Sequence, residues 1–395
     1  MKYVFKKRYG FGFIIILVIF AALAFSSCVN GSEIWLQEYN EKKSPDSLSE
    51  QEISESIEYD SQEYQKHDED WWPGTKSGQE QSKPHRLIQV DDLLYFVRDI
   101  SVCGETQREL CSIKKDGTGF TVVYDFGTRG CSLELLNIDI DQIMVEVYSD
   151  GWYHPAILNL RTKDLKVFNS PSQYSRIIYY DERFYYLDIK PDQMYNGYLA
   201  GDLFYADMDF NKTLVCEEVM FFEIYKGKIV YTRYLSKEYL LFACDLDGSN
   251  EVRLFEQALG DKAFSIHDSI IYSADNYGPH SDDYGTQMID IFTGESKVCE
   301  PRINYVGIQF KSEYFFATEL FGKDIYKISY NWEDIEIIAQ YFCEILLFDD
   351  YLYLIRSFSD VDEDVWEQYA VKDAIARINL DGGSFEKLVT VEFKG

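Results

Sequence analysis

Ser112-Ile113-Lys114-Lys115-Asp116-Gly117-Thr118-Gly119 returns in weaker form as Ala243-Cys244-Asp245-Leu246-Asp247-Gly248-Ser249 and Arg377-Ile378-Asn379-Leu380-Asp381-Gly382-Gly383-Ser384. Each sets Asp-Gly behind an apolar run, a strong hairpin signal, because the tight turn needs positive φ at its centre. The spacing decides the architecture. Asp116 to Asp247 is 131 residues and Asp247 to Asp381 is 134, so each gap holds three units of about 44, within the period of a four-stranded propeller blade. Weaker turns stand at the intermediate places: Arg161-Thr162-Lys163, Asp209-Phe210-Asn211, Phe292-Thr293-Gly294 and Tyr330-Asn331-Trp332. Seven units follow, beginning near Arg86, Cys131, Ser175, Met220, Ala263, Asn304 and Tyr341.

Between the turns lie short aromatic and β-branched runs such as Leu93-Leu94-Tyr95-Phe96-Val97 and Tyr351-Leu352-Tyr353-Leu354-Ile355, the pattern of an all-β domain with many strands. The expected fold is an all-β propeller of seven blades, each of four antiparallel strands, over residues 86–395. Closing the ring removes open sheet edges. Doublets such as Tyr179-Tyr180, Tyr185-Tyr186, Phe221-Phe222 and Phe315-Phe316 look like a sugar platform. Alternate strand residues face opposite sides, however, so one of each pair is expected in the packing between blades.

The repeat of aromatic strand, variable loop and Asp-Gly turn resembles bacterial propeller domains described as similar to the propeller of low-density-lipoprotein receptors, common in clostridial lipoproteins. The resemblance covers residues 86–395 and implies fold and location. No unit carries the Tyr-Trp-Thr-Asp strand of the receptor propellers, so no ligand is implied.

The N-terminus carries Lys2, Lys6, Lys7 and Arg8 ahead of an apolar run over residues 11–25. That run is of the length of a secretory signal's centre and shorter than the roughly 20 residues of a spanning helix. Leu23-Ala24-Phe25-Ser26-Ser27-Cys28 resembles the lipobox of bacterial lipoproteins, which implies a signal peptide over 1–27 and a lipid on Cys28, although Phe25 departs from the pattern. Residues 28–85 read as an acidic, disordered linker, reaching about 40 Å on the scaling of flexible chains.

Of the net charge of −30, residues 1–28 carry +4 and residues 29–85 carry −9, which leaves −25 on residues 86–395. Such a body is a poor partner for nucleic acid, whose binding depends on clustered Lys and Arg. Cysteines are scattered, with Cys103 and Cys111 close enough in sequence to bridge one hairpin, and there is no Cys-x-x-Cys pair to hold zinc. Asp360, Asp362 and Asp364 start like a calcium loop, but Val365 and Val371 stand where Gly and Glu belong. No metal and no cofactor is expected. The five histidines join no Gly-x-Ser-x-Gly, His-Glu-x-x-His or Gly-x-x-x-x-Gly-Lys motif, so enzyme signatures and catalytic residues are missing.

The loops between second and third strands are the best pointer to function, since loops on a rigid scaffold commonly carry binding. They should open on one rim, bearing Trp152 and His154, Tyr195 and Tyr198, Tyr277, His280, Asp282 and Asp283, and Asp362, Asp364 and Trp366. Rings and carboxylates together suit a protein segment, a basic peptide or a glycan. The expectation is a lipoprotein anchored by its N-terminal lipid to the outer face of the cytoplasmic membrane of a Gram-positive-type envelope, binding an envelope protein, peptide or glycan there. The alternatives are an envelope glycan hydrolase or lyase, and a structural spacer without a selective ligand. Oligomeric state is left open.

Overall fold

The computed structural model describes residues 83–102, 105–127, 130–149, 152–168, 174–195, 198–235, 238–255, 259, 263–274, 285–299, 305–319, 324–340, 344–356, 374–380 and 386–390. These form 28 strands in seven four-stranded antiparallel sheets. Blade one is β1 (Leu87–Val90), β2 (Leu93–Val102), β3 (Glu105–Lys114) and β4 (Thr121–Gly127). Blade two is β5 (Cys131–Asn137), β6 (Gln142–Ser149), β7 (Trp152–Asn159) and β8 (Leu165–Val167). Blade three is β9 (Tyr174–Tyr180), β10 (Arg183–Tyr195), β11 (Tyr198–Ala206) and β12 (Lys212–Val219). Blade four is β13 (Phe221–Tyr225), β14 (Lys228–Leu235), β15 (Glu238–Asp245) and β16 (Val252–Arg253). Blade five is β17 (Phe264–His267), β18 (Ile270–Ala274), β19 (Thr286–Asp290) and β20 (Ser296–Val298). Blade six is β21 (Tyr305–Phe310), β22 (Tyr314–Glu319), β23 (Asp324–Ser329) and β24 (Ile335–Gln340). Blade seven is β25 (Glu344–Phe348), β26 (Tyr351–Arg356), β27 (Ala374–Asn379) and β28 (Glu386–Thr390). The seven units expected from turn spacing are thus the seven blades.

Packing between blades accounts for the composition. The buried apolar residues fall into seven clusters, one at each junction, including one that joins Leu94, Phe96 and Ile113 of blade one to Tyr353, Ile355 and Ile375 of blade seven and so closes the ring. Because strand neighbours point opposite ways, both members of a doublet are used. Tyr185 fills the junction of blades three and four while Tyr186 fills that of two and three. Phe315 and Phe316 divide in the same way between the junctions on either side of blade six. Where one member of each pair was expected between blades, both serve, one on each side. Burying each such ring contributes roughly 1.5–3 kcal/mol.

The turns between third and fourth strands share one geometry. Gly117, Phe210, Gly248 and Trp332 all have positive φ and donate their N–H to the carbonyl three residues back, on Lys114, Asp207, Asp245 and Ser329; Lys163 and Gly294 do so to the carbonyl four back. Asp116 and Asp247 fasten the turn by accepting bonds from the Thr118 and Ser249 hydroxyls at 2.6 Å and from their N–H groups at 2.9 Å, bonds that hold both carboxyls below their ordinary pKa. Glycine matters here for a second reason, because the turn rests on the preceding blade. A Cβ on Gly248 would stand 2.3 Å from the Val215 carbonyl of β12, and one on Gly117 would stand 3.3 Å from Leu388 of β28. Phe210 fills the equivalent place with its ring, stacked on Phe168 at 4.3 Å.

Each sheet takes its four strands from consecutive chain, so among the described strands none is shared between the two ends. Closure rests on the apolar junction, on the Lys115–Asp349 ion pair at 2.5 Å and on Arg377 donating to the Lys115 carbonyl.

Cys111 pairs with Phe96 inside the core, six residues along β3 from the last hairpin pair, Val102↔Glu105. Cys111 is a free, buried thiol, and Cys103 lies outside the described residues.

Candidate functional site

Antiparallel alternation sorts the connections between two faces. The turns from first to second and third to fourth strands open on one face, and the connections from second to third strands and from blade to blade open on the other. The second face is the built-up one. Hairpins of blades one to four stay paired to their tips, at Val102↔Glu105, Ser149↔Trp152, Tyr195↔Tyr198 and Leu235↔Glu238. The longest strand, β10, runs 13 residues and passes a bulge between Ile189 and Met194, a device that re-aims a strand end.

On the blade-two hairpin, Tyr148 and Tyr153 face each other across the strands and meet edge to face at 5.3 Å, each 44% exposed. Two exposed rings held together present an apolar surface with hydroxyl handles. Their blade is tied to blade one. Arg108 donates from Nε to the buried Asp99 at 2.8 Å and from Nη1 to the Cys131 carbonyl across the blade junction. Burial opposes the Arg108 charge, yet the bond and attraction of Asp99, helped by the Tyr153 hydroxyl, raise its pKa overall.

A second polar centre lies at the inner ring. First strands of neighbouring blades approach each other there, as β9, β13 and β17 do. His85 exchanges both backbone hydrogen bonds with Leu135 of β5, at 2.9 and 2.7 Å, so the chain enters along the inner edge of blade two. Among the described residues, Lys83 and His85 already contact the propeller. Lys83 reaches Glu223 of β13 at 2.5 Å. Arg176 of β9 binds the same carboxylate, donates to the Phe222 carbonyl at 2.6 Å and lies 3.7 Å from the centre of the Phe221 ring. Glu223 is 4% exposed. Burial draws the Lys83 and Arg176 pKa values below their ordinary ranges against the pull of Glu223. Beside this cluster is a cavity of about 300 Å³ lined by Pro84, Ser132, Glu134, Glu146, Arg176 and Ile177, among others. It is at the lower limit of ligand-pocket sizes.

Of the candidates read from sequence, His154 is buried at 6% exposure, with Nε2 3.2 Å from the Ser149 carbonyl, inside the blade rather than on a rim. Its neighbour Tyr153 is the exposed one. Trp152, Tyr195 and Tyr198 are described by backbone alone and stand at the hairpin tips of the built-up face. Tyr277, His280, Asp282, Asp283, Asp362, Asp364, Trp366 and Cys28 lie outside the described residues. Among the described residues no group of three His, Cys, Asp or Glu is placed to hold a metal, and no helix is long and apolar enough to cross a membrane. Sequence reasoning missed Tyr148 and the Lys83–Glu223–Arg176 cluster.

No family profile matches the chain, and no curated protein matches it in sequence. Its fold is similar to propellers of peptidases. It matches the propeller domain of the trilobed protease from Pyrococcus furiosus, described as having an open velcro topology, at TM-score 0.52 and 11% identity, covering 80% of this chain and 100% of that one. The acylaminoacyl peptidase of Pyrococcus horikoshii matches at TM-score 0.52 and 12% identity, covering 78% of this chain and 53% of the peptidase. A puromycin-hydrolysing peptidase of Mycobacterium tuberculosis matches at TM-score 0.52 and 8% identity, covering 79% and 54%. This chain thus spans about half the length of those two peptidases. These neighbours are not of the low-density-lipoprotein-receptor type implied by the Asp-Gly turns, and at such identities the likeness shows one thing, a β-propeller fold.

Proposed function

We propose that this protein is an extracytoplasmic, lipid-anchored binding module that takes a protein segment or peptide of the cell envelope on the face bearing the long hairpins. The observation that carries the reading is the exposed Tyr148–Tyr153 pair on blade two, which is tied to blade one where Arg108, held by Asp99, donates to the Cys131 carbonyl of β5. Rigid aromatic pairs are typical anchors of interfaces, because they bury large area at small entropic cost. The acidic body favours a segment with basic side chains and speeds its approach. Lipidation at Cys28 and location on the outer face of a Gram-positive-type membrane rest on the N-terminal sequence and belong to the same proposal. Replacing Tyr148 and Tyr153 together by serine is expected to weaken binding to isolated envelope protein about tenfold without lowering the melting temperature. Ile140→Ser, at an exposed turn of the opposite face, is expected to leave binding unchanged. Equal binding by both variants would defeat the assignment of the face.

A further inference from the structure

Five cysteines among the described residues are free and buried. Cys111, Cys131 and Cys299 belong to three different blade junctions, whereas Cys216 and Cys244 share the junction of blades three and four. Cys216 lies on β12 and Cys244 on β15, and their sulfurs are 3.5 Å apart. We propose that Cys216 and Cys244 form an oxidation site that closes to a disulfide between blades three and four.

The surroundings suit the chemistry. Arg233 and Tyr231 stand beside the pair, both bonded to Glu251. The hydrogen bond shared between the two sulfurs, with help from Tyr231 and Arg233, lowers the Cys216 thiol in pKa against the opposing effect of burial. Cys244 is pushed up, by that same bond and by burial. Cys216 keeps 5% exposure while Cys244 has none, so Cys216 is the sulfur an oxidant meets first and Cys244 the resolving one; the attacking form is the thiolate. Closing from contact to a bond of about 2.05 Å asks for a shift of roughly an ångström and a half, within reach of small rotations of two side chains on facing strands. Cys216 is 5% exposed and Cys244 fully buried, which shuts out bulky disulfide reagents and admits a small hydroperoxide.

With hydrogen peroxide the Cys216 thiolate forms an S–O bond as the O–O bond breaks, and the departing hydroxide takes a proton to leave as water. Cys244 then attacks the sulfenic sulfur; the S–S bond forms, the S–O bond breaks and a second water leaves. Two thiols lose two electrons in all, and one peroxide becomes two waters. The product ties the outer strand of blade three to blade four, the two blades whose hairpins meet their tips at Tyr195↔Tyr198 and Leu235↔Glu238. This inference stands apart from the binding proposal, since it needs the packing of two blades alone.

The test uses the full chain, purified reduced, treated with hydrogen peroxide while folded, then denatured, alkylated and digested. The expected result is one linked peptide pair joining Cys216 to Cys244, about 2 Da lighter than its two thiol peptides, with Cys111, Cys131 and Cys299 alkylated as thiols. In Cys244→Ser protein, Cys216 should persist as a sulfenic acid that reacts with dimedone. Recovery of both Cys216 and Cys244 as alkylated thiols, or of Cys216 joined to any other cysteine, would overturn the site.

Discussion

A Glu223→Ala protein should be about 3 kcal/mol less stable than the parent. The carboxylate stands nearly out of water between Lys83 and Arg176, and its removal leaves two cations facing each other with nothing between them. Breaking a buried pair from one side typically costs about 3–5 kcal/mol. The lower end applies because the Lys83 and Arg176 side chains keep 30% and 23% of their exposure and find some water. Lys83→Met, by contrast, leaves Glu223 with its guanidinium and should cost no more than about 1 kcal/mol. Denaturant unfolding monitored by tyrosine fluorescence measures both. A Glu223→Ala loss within about 0.5 kcal/mol, the range of ordinary surface changes, would mean that the cluster does not hold the inner ring together.

Gly248→Ala should lower stability by about 2–4 kcal/mol, the sum of a left-handed backbone penalty and of overpacking against a neighbouring strand. The residue has φ of 87° and its missing side chain would press on the Val215 carbonyl at 2.3 Å. Backbone cannot step aside as a side chain can, so blades three and four must part. Gly117→Ala supplies the internal comparison. It has similar φ, 80°, but its nearest neighbours, the Leu388 side chain at 3.3 Å and the Leu388 backbone at 3.4 Å, leave room that the 2.3 Å approach at Gly248 does not, and it should cost nearer 1–2 kcal/mol. Equal losses in the two variants, read from the same unfolding curves, would show that the backbone conformation alone matters and that the turn does not brace the preceding blade.

These two positions show what a sequence displays and what it hides. Gly248 was visible because the turn is local: the need for positive φ, the preceding Asp247 and the spacing to Asp116 and Asp381 are all written along the chain. That Phe210 and Trp332 take the same conformation explains how the repeat survives without its glycine, the ring or indole filling the space. Glu223 was hidden in plain view. A lone carboxylate in Phe221-Phe222-Glu223-Ile224-Tyr225 is an oddity in a buried strand, but its partners sit 47 and 140 residues away in numbering, on elements that meet only once the ring is formed. Cys216 and Cys244 were hidden for the same reason, 28 residues apart in numbering and on different blades.

The rim was legible as a face and not as residues. Alternation of strands fixes which connections share a side, whatever their composition. Within the blade-two hairpin, Tyr153 and His154 are neighbours on one strand and so face opposite sides; the sequence does not say which side is covered, and in the fold Tyr153 is exposed while His154 is buried.

Hydrogen exchange of the propeller with and without its captured envelope partner locates the contact directly. Slower exchange is expected at the hairpin ends around residues 147–154 and 187–202, with residues 138–141 of the opposite face unchanged. Protection confined to residues 138–141 and the other turns of that face would contradict binding by the long-hairpin face.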